Sequence, residues 1–313
     1  MRRTLPGTLP PTGEIARLVE DYLAACTARG LSPKTLKDNY RFPLERVFLP
    51  FCADSGITSA ADLDQRRLDR LSVQLLEKGP GGKPLSRFSV NTYLNAINLF
   101  LGWAVKEGEM KPVRAQTPRL PRRVVETLSR EEVDRLEETA QSERDKLIVR
   151  VLADTGLRAS ELLGLEVGDL IQRDRQHLLK VTGKGDRQRL VPVPPADMRR
   201  LQRLVRGRDR EDRVFLTLRR RASTGDFEPL SLAGMEQMIE TLGDSESAEL
   251  GKRVYPHLLR HSFATWTLTR GMNPIQLANI LGHSTLRMIQ TTYSHLTVSD
   301  SYEALMRVLS AES

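Results

Sequence analysis

This 313-residue sequence has only two cysteines and no long apolar run. Cys26 and Cys52 alone rule out a disulfide framework and a zinc site built from four cysteines. No run approaches the roughly 18 apolar residues of a membrane span, and the N-terminal MRRTLPGTLPPTGE has no apolar stretch of the kind that secretory signals carry. We therefore expect a globular, cytoplasmic protein with no membrane partner.

Basic residues outnumber acidic ones, and the excess is concentrated near the N-terminus. The chain has 48 Lys+Arg and 40 Asp+Glu, a formal net charge of +8. Residues 1–120 hold 18 basic and 12 acidic residues, whereas residues 121–313 hold 30 and 28. A basic domain favours a phosphate-bearing partner such as nucleic acid, although many proteins without such a ligand are basic too.

At about 100–200 residues per domain, the length predicts two domains. Residues 14–108 carry helical apolar spacing broken by turn residues, which predicts a bundle of four helices. The second helix opens at Ser32-Pro33, and we expect Pro43 to bend or end it. Residues 111–126 contain three prolines and five basic residues without periodicity, which indicates an interdomain linker.

The C-terminal part combines helices with one predicted β-hairpin. Ser129 and Glu132 form the pattern of a capping box, and a later helix ends at Gly156 before a short helix around 159–164. HLLKVT and RQRLVPV, within 177–193, are strand-like and flank a GKGD turn. The fold class is therefore mainly α with a small β-hairpin or sheet.

Histidines cluster near the C-terminus. His257 and Arg260 lie three residues apart on a helix that Pro256 begins, so they share a face. His261 follows His257 by four residues, a spacing that permits a shared metal. The HLLRH segment lacks the glutamate of a zinc-protease helix and has no third ligand nearby. We expect no metal there and interpret His261 as a supporting residue.

Four further residues complete a set that suits one reaction. Arg158 precedes the short helix, Lys184 lies at the hairpin tip, and Tyr293 follows His283 by ten residues. Two guanidiniums stabilise a phosphodiester transition state, a phenol attacks phosphorus, a histidine takes its proton, and a lysine protonates the leaving oxygen. Because the arginines supply positive charge, we expect no metal and no other cofactor.

These motifs together resemble a tyrosine recombinase of the phage-integrase and Xer type. The ordered set matches the family more specifically than any single motif, over about residues 127–300. Residues 14–108 resemble, more loosely, the family's helical, SAM-like core-binding domain. The matching stretches are TGLRASELLGL around Arg158, TGKGDRQRLVPV around Lys184, PHLLRHSFAT with His257 and Arg260, and LGHSTLRMIQTTYSH with His283 and Tyr293.

The resemblance implies a role for each matched residue. Tyr293 attacks a DNA phosphate and forms a 3′-phosphotyrosyl link, while Arg158 and Arg260 stabilise the transition state. Lys184 is the general acid and His257 acts on the tyrosine proton. By the same resemblance, His283 hydrogen-bonds the phosphate and Glu161 is a supporting acid. Rejoining proceeds through a Holliday junction.

The resemblance also implies an organisation. It assigns residues 1–110 to a core-binding DNA clamp, 111–126 to the linker, and 127–313 to a mixed α/β catalytic domain with a C-terminal tail helix. The implied partners are double-stranded DNA recombination sites and further copies of the chain, which form a homotetramer on that DNA. Whether an accessory or directionality protein also takes part stays open. In this family such a tail often docks on a neighbouring subunit.

Other functions stay open. A DNA-binding protein on the same fold that no longer cleaves would keep the architecture, and a tyrosine-type topoisomerase would keep the chemistry. A metal-dependent nuclease lacks support, because no acidic and histidine cluster has ligand spacing. Only about a dozen residues precede the first predicted helix, so we expect no arm-binding domain. That leaves chromosome-dimer resolution or a mobile-element integrase, and the polar segment around 208–250 slightly favours the second.

Overall fold

Two units divide the chain in the computed structural model, Met1–Arg123 and Val124–Ser313. The structure describes residues 13–121, 126–183, 186–221, 223 and 225–282. Each unit has its own cluster of buried apolar side chains, so each is described separately. Within the described ranges, no helix has both the length and the apolar character that crossing a membrane requires.

Side-chain caps set where helices of the N-terminal unit begin. The side chains of Ser32, Asp64 and Ser86 each accept a hydrogen bond from the backbone N–H three residues later, which satisfies an otherwise unpaired donor. The helices agree, within a few residues, with the four that the apolar spacing predicts. They are α1 (Glu14–Ala28), α2 (successive turns Pro33–Thr35, Leu36–Arg41, Leu44–Phe48 and Leu49–Asp54), α3 (Gln65–Glu77) and α4 (Arg87–Lys106).

Helix α2 continues through Pro43, so of the two expected effects, a bend or an end of the helix, the second is wrong. Pro43 has helical dihedrals, φ −59° and ψ −37°. On both sides of it the hydrogen bonding is of the π type. Proline lacks the N–H that an α-turn uses, and its ring crowds the preceding turn. The wider π-turns accommodate both effects, which is why the helix persists.

Aromatic side chains join three helices in the core of the N-terminal unit. The Tyr22 ring of α1 lies 5.7 Å from the Phe100 ring and 5.5 Å from the Trp103 ring of α4, measured between centroids. Phe48 of α2 lies 5.7 Å from Phe100, and both phenylalanines are fully buried. Offset and edge-on pairs of this kind add to the stabilisation from burial.

The segment that follows α4 is hydrogen-bonded to the N-terminal unit. The Asn98 side chain accepts from the backbone N–H of Ala115 at 2.8 Å and donates to its carbonyl at 2.9 Å. The Ser72 hydroxyl donates to the Gln116 carbonyl at 3.0 Å. Ala115 is buried in the same core cluster. The beginning of the proline-containing segment 111–126 therefore packs as part of this unit.

A capping box opens the described part of the C-terminal unit. The Ser129 N–H donates to Glu132 Oε2 at 2.7 Å, and the Glu132 N–H donates to Ser129 Oγ at 3.2 Å. The elements are α5 (Arg130–Thr139), α6 (Glu143–Thr155), α7 (Ala159–Leu163), β1 (Leu170–Arg173), β2 (Gln176–Thr182), β3 (Gln188–Pro192), α8 (Pro195–Leu204), α9 (Leu232–Gly243), α10 (Pro256–Thr269) and α11 (Pro274–Leu281).

The three strands form an antiparallel sheet in the order β1–β2–β3. Leu179 of β2 pairs with Leu170 on one side and with Val191 on the other. The predicted hairpin is β2–β3, whereas β1 was not predicted. Its connection to β2 is Asp174-Arg175, whose φ values are 45° and 66°. This dipeptide lacks the glycine that normally marks a tight hairpin turn in a sequence, so the strand gave no signal.

Helix α6 lies at the centre of the C-terminal unit. No residue from Asp145 to Leu157 is exposed. The helix ends at Gly156, which has the left-handed φ of 63°. A Cβ at Gly156 would lie 2.4 Å from a ring carbon of Phe263 in α10. Both the backbone conformation and this close approach require glycine, so the end of α6 is fixed against α10.

Two aspartates lie close together inside the C-terminal unit. Asp197, in the first turn of α8, is 4% exposed, and its Oδ2 has no hydrogen-bond partner among the described residues. Burial and the neighbouring Asp154 carboxylate raise the pKa of Asp197 to about 7. An unfolded aspartate titrates near pH 4. The folded state thus holds a proton that the unfolded state has released, and stability falls as pH rises from about 4 through 7.

Replacing Asp197 by asparagine removes this pH dependence. We expect the gain in free energy of unfolding of Asp197→Asn over the wild type, measured in urea, to be larger at pH 8 than at pH 5 by about 2 kcal/mol or more. The exposed Asp244→Asn serves as control and should change neither value. An equal gain at both pH values, or none at pH 8, would contradict the assignment.

Candidate active site

Arg158 lies at the N-terminal end of α7, just after the buried helix α6. Its backbone N–H donates to Glu161 Oε2 at 2.8 Å, and its Nη1 donates to Glu161 Oε1 at 2.7 Å. One carboxylate therefore caps the helix and holds the guanidinium. The Arg158 side chain remains 34% exposed, so an anion from solvent can reach it. The sequence predicted this position from the turn between α6 and α7.

The Glu161 carboxylate also binds a second arginine. Arg189 of β3 donates from Nη1 to Oε1 at 3.0 Å and from Nη2 to Oε2 at 2.8 Å, a bidentate pair. The Glu161 side chain is only 3% exposed. Burial alone would raise the pKa of Glu161, but the hydrogen bonds from Arg189 and Arg158 outweigh burial, and the pKa is lowered. Glu161 is therefore ionised at neutral pH.

Arg260 connects α10 with two other parts of the unit. It is buried, and its Nη1 donates to the Gly156 carbonyl at 2.6 Å while its Nη2 donates to the Leu281 carbonyl at 2.8 Å. Gly156 is two residues before Arg158, and Leu281 ends α11. Arg260 thus connects two segments: the loop that contains Arg158 and the end of α11.

His257 lies in the first turn of α10, one turn before Arg260. The residue is partly exposed to solvent. Its pKa is lowered, first by burial of the ring, then by the charge of Arg260, and least by the charge of Arg158. His257 is one turn from Arg260 on α10, and Arg260 binds the carbonyl of Gly156, two residues before Arg158, so the three residues belong to one part of the unit. A neutral imidazole is the form that accepts a proton. The His261 ring lies 5.3 Å from the His257 ring, measured between centroids.

Five of the eight predicted site residues are described, and the structure brings them together: Arg158, Glu161, His257, Arg260 and His261. Lys184, His283 and Tyr293 lie outside the described residues, as does the tail from 300 to 313. Within the described ranges, no group of three or more His, Cys, Asp or Glu side chains is arranged to hold a metal ion.

Arg189 is the residue of this cluster that sequence reasoning missed. Besides Glu161, it binds the Ile280 carbonyl at the end of α11 through Nε at 2.8 Å. Its sequence signal is faint, because RQRLVPV predicts a strand and nothing more. The sequence gives one indication. Arg189 precedes Leu190 in the strand and so lies on the opposite face of the sheet from this exposed residue, as does Arg187 two positions earlier in the pattern.

The family to which this chain belongs follows from a comparison of its sequence with known families. Residues 126–300, more than half of the chain, match the phage integrase family. The chain belongs to the phage integrase family. This match spans α5 to α11 and so includes the whole described cluster around Glu161.

Relatives of this integrase-family chain are tyrosine recombinases. It is 32% identical to tyrosine recombinase XerA of Pyrococcus furiosus over 295 residues, which cover 93% of this chain and 94% of that protein. It is 30% identical to tyrosine recombinase XerC of Pseudomonas syringae pv. tomato over 280 residues, covering 86% and 87%. The Tn1549 transposon integrase has the same fold, with a TM-score of 0.71, 18% identity and coverage of 95% and 100%.

The integrase-family chain is therefore a tyrosine recombinase, an enzyme of site-specific recombination, as the sequence motifs implied. The expected fold class, mainly helical with a small sheet, is confirmed. The catalytic role of each residue stays a prediction.

The pKa of His257 provides a solution test of the geometry. We expect Arg158→Gln to raise this pKa toward the ordinary value for histidine, because a repelling positive charge is removed. Imidazole NMR titration measures it, with the signal assigned by its loss in His257→Gln. Arg200→Gln, which removes an arginine paired with Glu143, should leave the pKa unchanged. An unchanged or lower pKa in Arg158→Gln would refute the proximity.

Proposed function

We propose that this enzyme cuts and rejoins DNA at specific sites by metal-independent transesterification through a 3′-phosphotyrosyl intermediate and a Holliday junction. The observation that carries the proposal is the placement of Arg158 and Arg260 beside a neutral His257. The two guanidiniums can stabilise the negative charge of a phosphodiester transition state, and the imidazole can accept the proton of the nucleophile. A neutral substrate would have less use for two cations.

In the first step, the Tyr293 phenol oxygen forms a bond to the scissile phosphorus and the bond from phosphorus to the 5′-oxygen breaks. His257 takes the phenolic proton, and its lowered pKa keeps it ready to do so at neutral pH. Lys184 gives a proton to the departing 5′-oxygen. The same sequence run in reverse, with the 5′-hydroxyl of another strand as the nucleophile, rejoins the DNA.

Charge stabilisation falls to the two arginines, with His283 donating a hydrogen bond to the phosphate. Arg158 is exposed enough to meet a phosphate oxygen, whereas Arg260 is held rigidly by two carbonyls. Donors held in place before the reaction stabilise a developing charge without reorganisation, and one such donor is typically worth about 100- to 1000-fold in rate. The phosphotyrosyl bond conserves the energy of the broken phosphodiester, so the proposal needs no nucleotide cofactor.

Double-stranded recombination sites are the proposed substrate, and a tetramer is the proposed working form. Structural neighbours support this. XerH is bound to a palindromic difH substrate after cleavage, and a lambda integrase tetramer is bound to a Holliday junction. The Tn1549 integrase is in complex with a circular intermediate DNA. We propose the N-terminal unit, with its basic excess, as the second half of a DNA clamp.

The biological setting has two candidates, chromosome-dimer resolution and integration of a mobile element. The Xer relatives, matched over most of their length, favour the first. The Tn1549 integrase, matched in fold over the whole fragment in that structure, keeps the second candidate open. The DNA that the enzyme selects distinguishes them, since a chromosomal site and the ends of an element lie in different places.

A suicide-substrate assay in chelator tests the chemistry. Nicked duplexes from the DNA flanking the gene, or selected by binding from a randomised library, are incubated with the protein in EDTA. We expect a covalent protein–DNA adduct with the wild type and none with Tyr293→Phe, because phenylalanine has no nucleophilic oxygen. Tyr302→Phe is the matched control and should form the adduct.

Each other outcome has a defined meaning. An adduct with Tyr293→Phe would show that the nucleophile is a different residue. Selective binding with no adduct would favour a non-cleaving DNA-binding protein or a required accessory protein. Relaxation of supercoiled plasmids that lack the selected site would favour a topoisomerase.

Deleting residues 300–313 tests the proposed docking of the tail on a neighbouring subunit. We expect binding to one half-site to persist, while assembly on two sites and strand exchange are lost, as measured by native gels and sedimentation. If assembly and exchange both survive the deletion, the tail has no such role.

A further inference from the structure

Arg189 is the one described side chain that binds both Glu161 and the end of α11. Its bidentate pair with Glu161 and its bond from Nε to the Ile280 carbonyl use all three guanidinium nitrogens. The side chain is 15% exposed. These partners lie 28 and 91 residues away in the sequence, so the contact joins three separate elements.

Two glycines show how closely the backbone surrounds this guanidinium. A Cβ at Gly183, after β2, would lie 3.4 Å from Arg189 Nη1 and 3.5 Å from Glu161 Oε1. A Cβ at Gly282, after α11, would lie 2.9 Å from Arg189 Cζ. Gly183 immediately precedes Lys184 in the sequence, and Gly282 immediately precedes His283. The Arg189–Glu161 ion pair therefore lies next to the residues that precede Lys184 and His283, and it includes the carboxylate that holds Arg158.

Charge gives the pair a second consequence. If Glu161 bound Arg158 alone, the carboxylate would neutralise the guanidinium that the phosphate is to meet. With Arg189 sharing the same carboxylate, the three groups carry one net positive charge. A buried carboxylate with too few partners is strongly destabilising, so Arg189 also keeps Glu161 ionised where it lies.

We propose that Arg189 is a positioning residue for strand cleavage, which holds Glu161 so that Arg158 is correctly placed and which anchors the chain at Gly183 and Gly282. This inference rests on the proposed function. Arg189 itself is not proposed to contact DNA.

The test compares Arg189→Met with Arg200→Met. Arg200 is a matched control, because it is 20% exposed and also binds two carboxylates, those of Glu137 and Glu143, outside the cluster. Both variants lose an ion-paired arginine and some stability. We expect Arg189→Met to form the adduct on the order of 100-fold more slowly, with half-site binding within about threefold of wild type. Arg200→Met, once folded, should cleave at the wild-type rate.

A neutral substrate separates positioning from general loss of structure. A methylphosphonate at the scissile position carries no negative charge, so it depends less on Arg158. If Arg189 acts through Arg158, the rate deficits of Arg189→Met and Arg158→Met both shrink on this substrate. A deficit in Arg189→Met that stays the same on both substrates would overturn the proposal.

The conservative variant gives a graded result. An ammonium in Arg189→Lys can pair with Glu161 but has no fork with which to bind Ile280 at the same time. We expect a cleavage rate between those of wild type and Arg189→Met. If Arg189→Lys cleaves as slowly as Arg189→Met, a second variant is needed. Gly282→Ala crowds the same guanidinium, and the positioning role then requires that this variant also cleaves slowly. If Gly282→Ala folds and cleaves at the wild-type rate, the anchoring role is wrong.

A double-mutant cycle in urea tests the pairing of Arg189 with Glu161 independently of activity. Arg189→Met and Glu161→Gln should destabilise the protein non-additively, because each removes the same ion pair. Additive losses would overturn the proposal even in an enzyme that cleaves. A wild type that forms no adduct while the cycle is non-additive would instead remove the proposed function and leave the pairing established.

Discussion

The buried carboxylate of Glu161 is the constraint on which the described site depends. It accepts from the backbone and side chain of Arg158 and from both terminal nitrogens of Arg189. A charge this far from solvent is stable only with several donors, and the donors come from different elements. Because of this, α7, β3 and the end of α11 cannot be placed independently of one another.

Element ends, rather than element centres, carry the described site. Arg158 caps α7, and His257 lies in the first turn of α10. Arg260 binds the carbonyl of Gly156, the residue that caps α6, and the last carbonyl of α11. Helix ends leave backbone groups unpaired, and here side chains of the site pair with several of them. Capping and the preparation of the site are consequently the same set of hydrogen bonds.

Local signals explain what the sequence predicts correctly. Ser129 and Gly156 mark helix ends by cap chemistry that acts within four residues, and the structure places them as expected. Strand β1 was missed because its turn, Asp174-Arg175, lacks glycine. Arg189 was missed because its partners are distant in the sequence, and neither periodicity nor motif spacing records a pair that only the folded chain brings together.

The burial of α6 has a consequence for motion. From Asp145 to Thr155 the helix has no exposed residue, so it cannot open without exposing apolar surface of the core. The loop from Gly156 to Arg158 is attached directly to that helix. Slow backbone amide exchange should therefore extend from α6 into this loop, so that the arginine side of the site behaves as a rigid wall. Regulation by conformational change would then act on other segments of the site and not on the loop that contains Arg158.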